Sequence, residues 1–345
     1  MTAGDMTVGS GPLTALVREG VRRAGVGAVW AAGGAEGIRA HGCSGPAGRG
    51  SPRPAMAQDT VFDLASLTKI VALWPCVGAL WQAGRLPLDD PLGTYWQEVT
   101  GLPVGALTAR RLLTHTSGVP LRTNFERLYG TDPAAIRAGV LAAPLHRPPG
   151  EAVEYTDRSA IILGYLVGSL TGTPLAELAA REVWRPLGMT DTRYGPLTGE
   201  LLERTAPTEY HESTGGYLRG VVHDPSARLL GGVCGSAGAF ATAGDLGLFL
   251  TSLLRPSARE DWVERSLREH TNGLTPTRGL SWLCAAGADP AHGIFMHYGF
   301  TGTAIWLSRS LGRWAVLLTN KVHYSRDIQL LTDLRTAFRR EVFGS

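Results

Sequence analysis

The sequence predicts an α+β protein, an antiparallel sheet flanked by helices, with sheet-forming segments at both ends of the chain and a helical middle between them. Two observations carry that prediction. Short apolar or alternating runs bounded by glycine fall near residues 26–41 and again at 281–319, whereas from 62 to about 201 the apolar residues recur at helical spacing. The 345-residue chain is also 44% hydrophobic and only 18% charged, which supplies a large core and excludes a disordered composition.

Leu13, Leu16, Val17 and Val21 follow Pro12 at helical spacing and predict a short first helix. Residues 26–31 and 38–41 read as two strands of a hairpin turning at Gly33-Gly34, and the Gly-, Pro-, Ser- and Arg-rich stretch 42–58 reads as a loop. The first strong helix carries Leu64, Val71, Leu73, Val77 and Leu80, with a bend expected at Pro75, which has no N–H to give. Further helix pieces are expected at Leu112-Leu113, before a turn ending at Gly118, and at 161–170 ahead of Gly172; Pro148-Pro149-Gly150 breaks the chain between them. Residues 281–286, 294–299, 303–307 and 313–319 predict an antiparallel meander. Ile328, Leu331, Leu334, Phe338 and Val342 then predict a closing helix over one sheet face. No internal repeat is visible.

A formal net charge of +3, from 33 basic and 30 acidic residues without a dense basic run, gives no footprint for nucleic acid. Cys43, Cys76, Cys234 and Cys284 are far apart, with no C-x-x-C pair and no His cluster at metal spacing, so reduced thiols and no metal are expected. No basic-then-apolar leader is present and charged residues interrupt every apolar stretch, so a soluble, cytoplasmic protein that does not engage a membrane is expected.

The chemistry concentrates at Ser66-Leu67-Thr68-Lys69, at the start of the first strong helix. Residues three apart share a helix face, so the Lys69 amine can reach the Ser66 hydroxyl, a poor nucleophile until a neighbour takes or holds its proton. With 18 serines and two lysines, S-x-x-K arises by chance in about one such chain in ten. What sharpens it is that Lys69 and Lys321 are the only lysines among 33 basic residues, and arginine could not serve as a base. Two partners appear further on, Tyr155-Thr156-Asp157 just after the Pro-Pro-Gly break and His297-Tyr298-Gly299 inside a meander strand.

The order and intervals of these three elements resemble the serine β-lactamase and penicillin-binding protein superfamily, most nearly its class C β-lactamase and esterase branch, with S-x-x-K, then Y-x-N, then a K-T-G-like or H-x-G strand. The stretches 112–118, 220–224, 231–233 and 297–303 resemble it too, so the likeness spans nearly the whole chain. It implies a β-lactamase-like fold: a discontinuous sheet domain from 1–60 and 206–345, an inserted all-helical domain from 61–205, and the active site between them. It implies Ser66 as nucleophile, with Lys69 and Tyr155 sharing the proton work and Asp157 and His297 in support. The backbone N–H groups of Ser66 and Phe300 would form the oxyanion hole, and Gly299 and Thr301 would contact substrate. No cofactor is implied.

Two positions depart from the pattern. Asp157 stands where many relatives carry Asn; a carboxylate beside Lys69 favours the protonated amine and leaves Tyr155 to collect the Ser66 proton. Asp157 could equally cap a helix. His297 stands where penicillin-recognising relatives carry Lys, and a largely neutral imidazole pulls less on a substrate carboxylate; it could bond the Tyr155 hydroxyl or assist deacylation. His115 and the adjacent His223-Asp224 suggest a triad less than they suggest loop anchors, and Arg158 reads as solvated. Trp74, Trp81, Trp96, Trp282 and Trp306 read as core or pocket wall. The leading expectation is a serine esterase or acyltransferase that passes a small-metabolite acyl group from Ser66 to water, an amine or an alcohol. The alternatives are a β-lactamase or D-amino-acid peptidase, and a non-catalytic ligand-binding protein retaining the fold. Nothing in the sequence fixes the oligomeric state.

Overall fold

The computed structural model describes residues 11–121, 124–257, 259–287 and 292–344. The elements that build the fold are, in chain order, α1 (Gly11–Ala24), β1 (Ala28–Gly34), β2 (Gly37–Ser44), α2 (Trp74–Gln82), α3 (Asp157–Thr171), α4 (Ala243–Ser252), β3 (Leu283–Cys284), β4 (Phe295–Tyr298), β5 (Ala304–Ser308), β6 (Arg313–Thr319) and α5 (Thr332–Phe343). The six strands form one sheet in the order β2-β1-β6-β5-β4-β3, antiparallel throughout. Side chains alternate between its faces. Val29, Ala31, Ile305, Leu307, Trp314, Val316 and Leu318 join a large core shared with α2, α3 and α4. Ala28, Trp30, Ala32, Ala304, Trp306, Ala315 and Leu317 pack on the other face against Leu13 and Val17 of α1 and Phe338 and Val342 of α5. Both faces are buried, which is why these strands read as nearly unbroken apolar runs.

Three local expectations are corrected. The hairpin turns at residues 35 and 36, not at Gly33-Gly34. Gly33 instead lies within β1, opposite Trp314 of β6: a Cβ there would come within 2.5 Å of the Trp314 ring and 2.2 Å of the Gly37 carbonyl oxygen. Ile328 lies outside α5 and is 63% exposed. The chain there is a polar turn, with Asp327 accepting from the Gln329 N–H at 2.8 Å. Finally, the helical middle contributes two short strands, Phe62–Asp63 and Arg193–Tyr194, which both pair with Ala239–Ala241. The division into two domains remains a proposal.

The first helix widens just ahead of Pro75. The Trp74 N–H reaches back five residues to the Lys69 carbonyl, and the Val71 carbonyl, which a Pro at 75 cannot serve, accepts the Trp184 indole N–H at 2.9 Å. Helix α3 stops at Gly172, whose φ of 67° most side chains would resist. Among the described residues no single helix is long and apolar enough to cross a membrane. The bent pair Asp157–Thr171 and Leu175–Trp184 passes by length and composition only, at an angle of 81°, and Ile161, Ile162, Leu166 and Val167 are spent inside the core.

Candidate active site

Ser66 stands on a tight turn, Ala65–Leu67, held from three sides. The buried Asp63 carboxylate accepts the Ala65 N–H at 2.8 Å and the His223 N–H at 2.7 Å. Burial pushes this carboxyl up, and the two N–H groups pull it part of the way back. Thr301 donates its hydroxyl to the Asp63 carbonyl at 2.7 Å, and Thr303 donates to the Leu64 carbonyl at 3.1 Å. Ala65 pays for the turn with a φ of 46°. Gly299 explains the glycine of H-x-G: a Cβ there would lie 2.5 Å from the Leu64 carbonyl oxygen and 2.1 Å from the Thr303 hydroxyl, so only glycine lets the end of β4 meet the Ser66 turn.

The three-residue spacing puts Lys69 Nζ 2.9 Å from Ser66 Oγ. Lys69 is 2% exposed, and its amine also meets Asp157 Oδ1 at 2.8 Å and the Ser236 carbonyl at 3.0 Å. An ammonium has three N–H groups, and here each has an acceptor. Burial pulls the Lys69 pKa down, but the Asp157 charge and the Tyr155 phenol more than offset it, and the amine stays protonated beyond its ordinary range. Asp157 is the first residue of α3; the cap is Thr156, whose hydroxyl accepts the Arg158 N–H at 3.3 Å. Of the two readings of Asp157, the contact with Lys69 is the one present.

Tyr155 is 42% exposed and surrounded by cations and imidazoles. Its ring centroid lies 5.2 Å from Lys69 Nζ, 5.4 Å from the Arg278 guanidinium, 4.5 Å from the His115 ring and 6.1 Å from the His297 ring. His115, at a φ of 58°, anchors this loop. Its carbonyl accepts the Glu154 N–H at 2.8 Å and its Nδ1 accepts the Thr156 N–H at 3.4 Å. Burial first, then the positive charges of Arg278 and Lys69, hold the His115 and His297 pKa values well below the ordinary 6.5, so both are neutral at pH 7. His297 Nδ1 lies 3.1 Å from the Tyr298 carbonyl, which can only accept, so Nδ1 carries the proton and Nε2 is left an acceptor.

These groups open on a cleft of about 350 Å³ lined by Ser66, Tyr155, His297, Phe300, Lys321, Ile328 and, beyond the residues singled out from the sequence, Arg278 and Arg335. Gly299 lines it as well. Thr301 does not: it is 2% exposed and its hydroxyl is committed to Asp63, so it fixes the nucleophile turn from behind. Arg158 is likewise not solvated; it is 3% exposed, donates to the Tyr129 hydroxyl at 3.0 Å and lies over the Phe125 ring. His223 pairs with Glu209 at 3.0 Å and stacks on Phe300, while Asp224 caps the helix Pro225–Leu229, so the two anchor loops. Trp74, Trp282 and Trp306 are core. Among the described residues no cluster of three or more His, Cys, Asp or Glu could hold a metal. Ser236 escaped the sequence reading because long-range packing alone brings its carbonyl to Lys69; Asp63 is close to Ser66 in the chain, but only the turn shows its carboxylate facing the Ala65 N–H. Lys321 had a signal, as the second of two lysines.

Residues 13–337 match the beta-lactamase family. An Escherichia coli K12 protein provisionally named a D-alanyl-D-alanine carboxypeptidase is 28% identical over 306 residues, 76% of this chain and 70% of its own. Among solved structures, a class C beta-lactamase from Rhodobacter sphaeroides superposes with a TM-score of 0.76 at 19% identity, covering 96% of this chain and 99% of that one. EstCE1, described as a hydrolase with promiscuous acyltransferase activity, does so with a TM-score of 0.76 at 18% identity, covering 96% and 97%. At such identities the two structures speak for the fold alone.

Proposed function

We propose that this chain, which belongs to the beta-lactamase family, is a serine esterase or acyltransferase that carries the acyl group of a small-molecule ester or amide on Ser66. The observation behind this reading is Lys69 Nζ at 2.9 Å from Ser66 Oγ, with Asp157 at 2.8 Å keeping it an ammonium. An ammonium cannot take the Ser66 proton, but it can hold Oγ in place and stabilise the alkoxide forming there. The proton then moves through Tyr155 in a relay: as Ser66 Oγ bonds to the acyl carbon, the Tyr155 oxygen takes the Ser66 proton while its own hydroxyl proton goes to the leaving oxygen or nitrogen, which departs and leaves the ester on Ser66. In the second half water, or an amine or alcohol acceptor, attacks that ester and gives a proton to the Tyr155 oxygen, while the Tyr155 hydroxyl proton returns to Ser66 Oγ as it is freed. The backbone N–H groups of Ser66 and Phe300 would receive the carbonyl oxygen, a role supported by both residues lining the cleft. His297, neutral with Nε2 as an acceptor, suits a part in orienting the incoming acceptor. The likeness to EstCE1, a hydrolase with promiscuous acyltransferase activity, supports transfer beside hydrolysis.

The test is labelling with a fluorophosphonate followed by peptide mass spectrometry. The adduct is expected on Ser66 and absent from Ser66→Ala; modification elsewhere, or none, refutes the reading. The name of the Escherichia coli relative favours a second reading, a D-alanyl peptidase or β-lactamase. Against it stands the neutral His297. Turnover of a p-nitrophenyl ester is expected to exceed that of a chromogenic cephalosporin, and the reverse order would favour the second reading.

A further inference from the structure

Building on the acyl-Ser66 reading above, we propose that Asp63 and His223 are positioning residues of acyl transfer. The Asp63 carboxylate ties the Ser66 turn to the His223 loop, and the His223 ring holds Phe300, so that the two N–H groups of the oxyanion hole keep one spacing. Those donors come from elements far apart in the chain, and no local structure sets the distance between them. Asp63 lies where the elements meet. One carboxylate oxygen accepts the Ala65 N–H at 2.8 Å, in the turn that carries Ser66, and the other accepts the His223 N–H at 2.7 Å. Its carbonyl accepts the Thr301 hydroxyl at 2.7 Å, one residue beyond Phe300. Asp63 is 2% exposed, and no salt bridge reaches it among the described residues. A buried carboxylate held by N–H groups alone is costly. A serine or asparagine could close the turn without that cost. Two N–H groups from separate elements, however, require two acceptors on one side chain, and the amide nitrogen of an asparagine would face one of them.

The peptide planes of both donors are set the same way. The Ala65 carbonyl accepts the Thr68 N–H, and the Gly299 carbonyl accepts the Gly302 N–H at 3.1 Å. Across a trans peptide the next N–H, that of Ser66 or of Phe300, points to the opposite side. What these turns leave open is the lateral position of Phe300, and its ring supplies the hold. The His223 ring stacks on it, with centroids 5.7 Å apart and planes at 21°. His223 Nε2 lies 3.0 Å from Glu209, and Arg326 donates to that carboxylate at 2.7 Å. Lys321 Nζ and the Arg326 guanidinium sit 4.7 Å and 5.3 Å from the Phe300 centroid. The His223 backbone is thus fixed by Asp63 and its ring fixes Phe300, which connects the second donor to the carboxylate that sets the first. Because the hole meets an oxygen whose charge appears only during reaction, a small displacement of either N–H costs rate rather than substrate affinity.

A matched substrate and inhibitor test this. Turnover is read with p-nitrophenyl hexanoate. With trifluoromethyl pentyl ketone, Ser66 Oγ bonds to the carbonyl carbon, its proton leaves through Tyr155 to solvent by the same relay, and the carbonyl oxygen becomes an anion in the hole, as in the transition state. His223→Ala removes the ring and keeps the N–H that Asp63 accepts. Its kcat should fall about tenfold with KM changed less than about twofold, and the inhibition constant of the ketone should rise about tenfold in step. His223→Phe, which keeps a flat ring over Phe300 and gives up the Glu209 contact, should recover most of both. Asp63→Asn should lower kcat about a hundredfold, again at constant KM. Adding His223→Ala to it should cost less than about threefold more, since both act through one path. An unchanged kcat in His223→Ala overturns the assignment. So does a loss of kcat that leaves the ketone constant where it was, which would mark His223 as structural, or a His223→Phe no better than His223→Ala. If Asp63→Asn does not fold, the two His223 variants still decide. Failure of fluorophosphonate to label Ser66 in the native protein would instead refute the acyl-enzyme reading, whatever the variants do.

Discussion

Lys69 and Arg278 flank the same tyrosine ring, at 5.2 Å and 5.4 Å, and are 2% and 5% exposed, yet their surroundings are opposite. Lys69 meets a carboxylate, a hydroxyl and a carbonyl within 3.0 Å. Arg278 keeps two guanidinium nitrogens without a partner among the described residues. Desolvating a cation is costly unless something replaces the water. Around Lys69 the chain supplies the replacement itself, as suits a charge that must be constant while a proton moves next to it. Around Arg278 the chain supplies none, and the residue opens on the cleft. The same physical penalty is thus met internally in one place and left open in the other.

The sharpest way to break that contrast is to remove each charge with a similar-sized apolar side chain. Lys69→Met should lower kcat on a p-nitrophenyl ester by at least about 10³-fold. It should also destabilise the fold by about 2 kcal/mol, because Asp157 loses its cation; the cost falls short of the ~3–5 kcal/mol of a fully buried pair since the Asp157 side chain is 29% exposed. Urea unfolding measures the second effect. If Lys69→Met left stability intact while Arg278→Met lowered it, the two cations would have to exchange interpretations.

Next in size is Asp157→Asn, which converts Lys69 toward the condition of Arg278. In the native protein the Lys69 pKa is raised above its ordinary 10.5, so the pair's contribution to stability is fully present below about pH 10.5 and is lost only as pH climbs through the higher folded value. Without the Asp157 charge, burial dominates and the folded pKa drops below 10.5. Folding then releases a proton between the two values, and stability should rise with pH across that window, where the native protein is flat. Tm measured from pH 7 to 10.5 distinguishes the two slopes. We expect kcat to fall about tenfold as the amine loses its fixed charge. A variant whose Tm is as flat as the native protein's would mean that Asp157 does not hold the proton on Lys69.

The two cations also differ in how far the sequence discloses them. Lys69 is legible because the S-x-x-K spacing is local: three residues of helix dictate the 2.9 Å contact whatever the rest of the chain does. The alternation of β5 and β6 and the period of α5 are legible for the same reason. Arg278 is one arginine among many; the run 281–286 discloses the strand at Leu283–Cys284, but not that Arg278 is bridged to Leu283 across a hairpin. Thr301 was misjudged because sequence proximity to Gly299 says nothing of which way a hydroxyl turns; the buried Asp63 carbonyl decides it. Arg158 was misjudged because solvation is the usual state of arginine, and only packing brings Phe125 and Tyr129 to it. Local chemistry is written in spacing, whereas the partner a buried charge lacks is visible only in three dimensions.

The smallest expected effect tests whether Arg278 can be given the kind of partner Lys69 already has. Leu283 faces Arg278 across the hairpin bridge, and side chains of directly opposed residues lie on the same side of an antiparallel pair; both line the cleft. Leu283→Glu should therefore place a carboxylate beside the guanidinium and supply the acceptor that the native chain omits. In urea unfolding at pH 7 it should be more stable by about 1 kcal/mol than Leu283→Gln, of matching size and no charge. In the Arg278→Met background the difference between the two should vanish, since there is no cation left to meet. A difference that persisted there would place the glutamate against Lys321 or Arg335, and the open side of Arg278 would remain as it was.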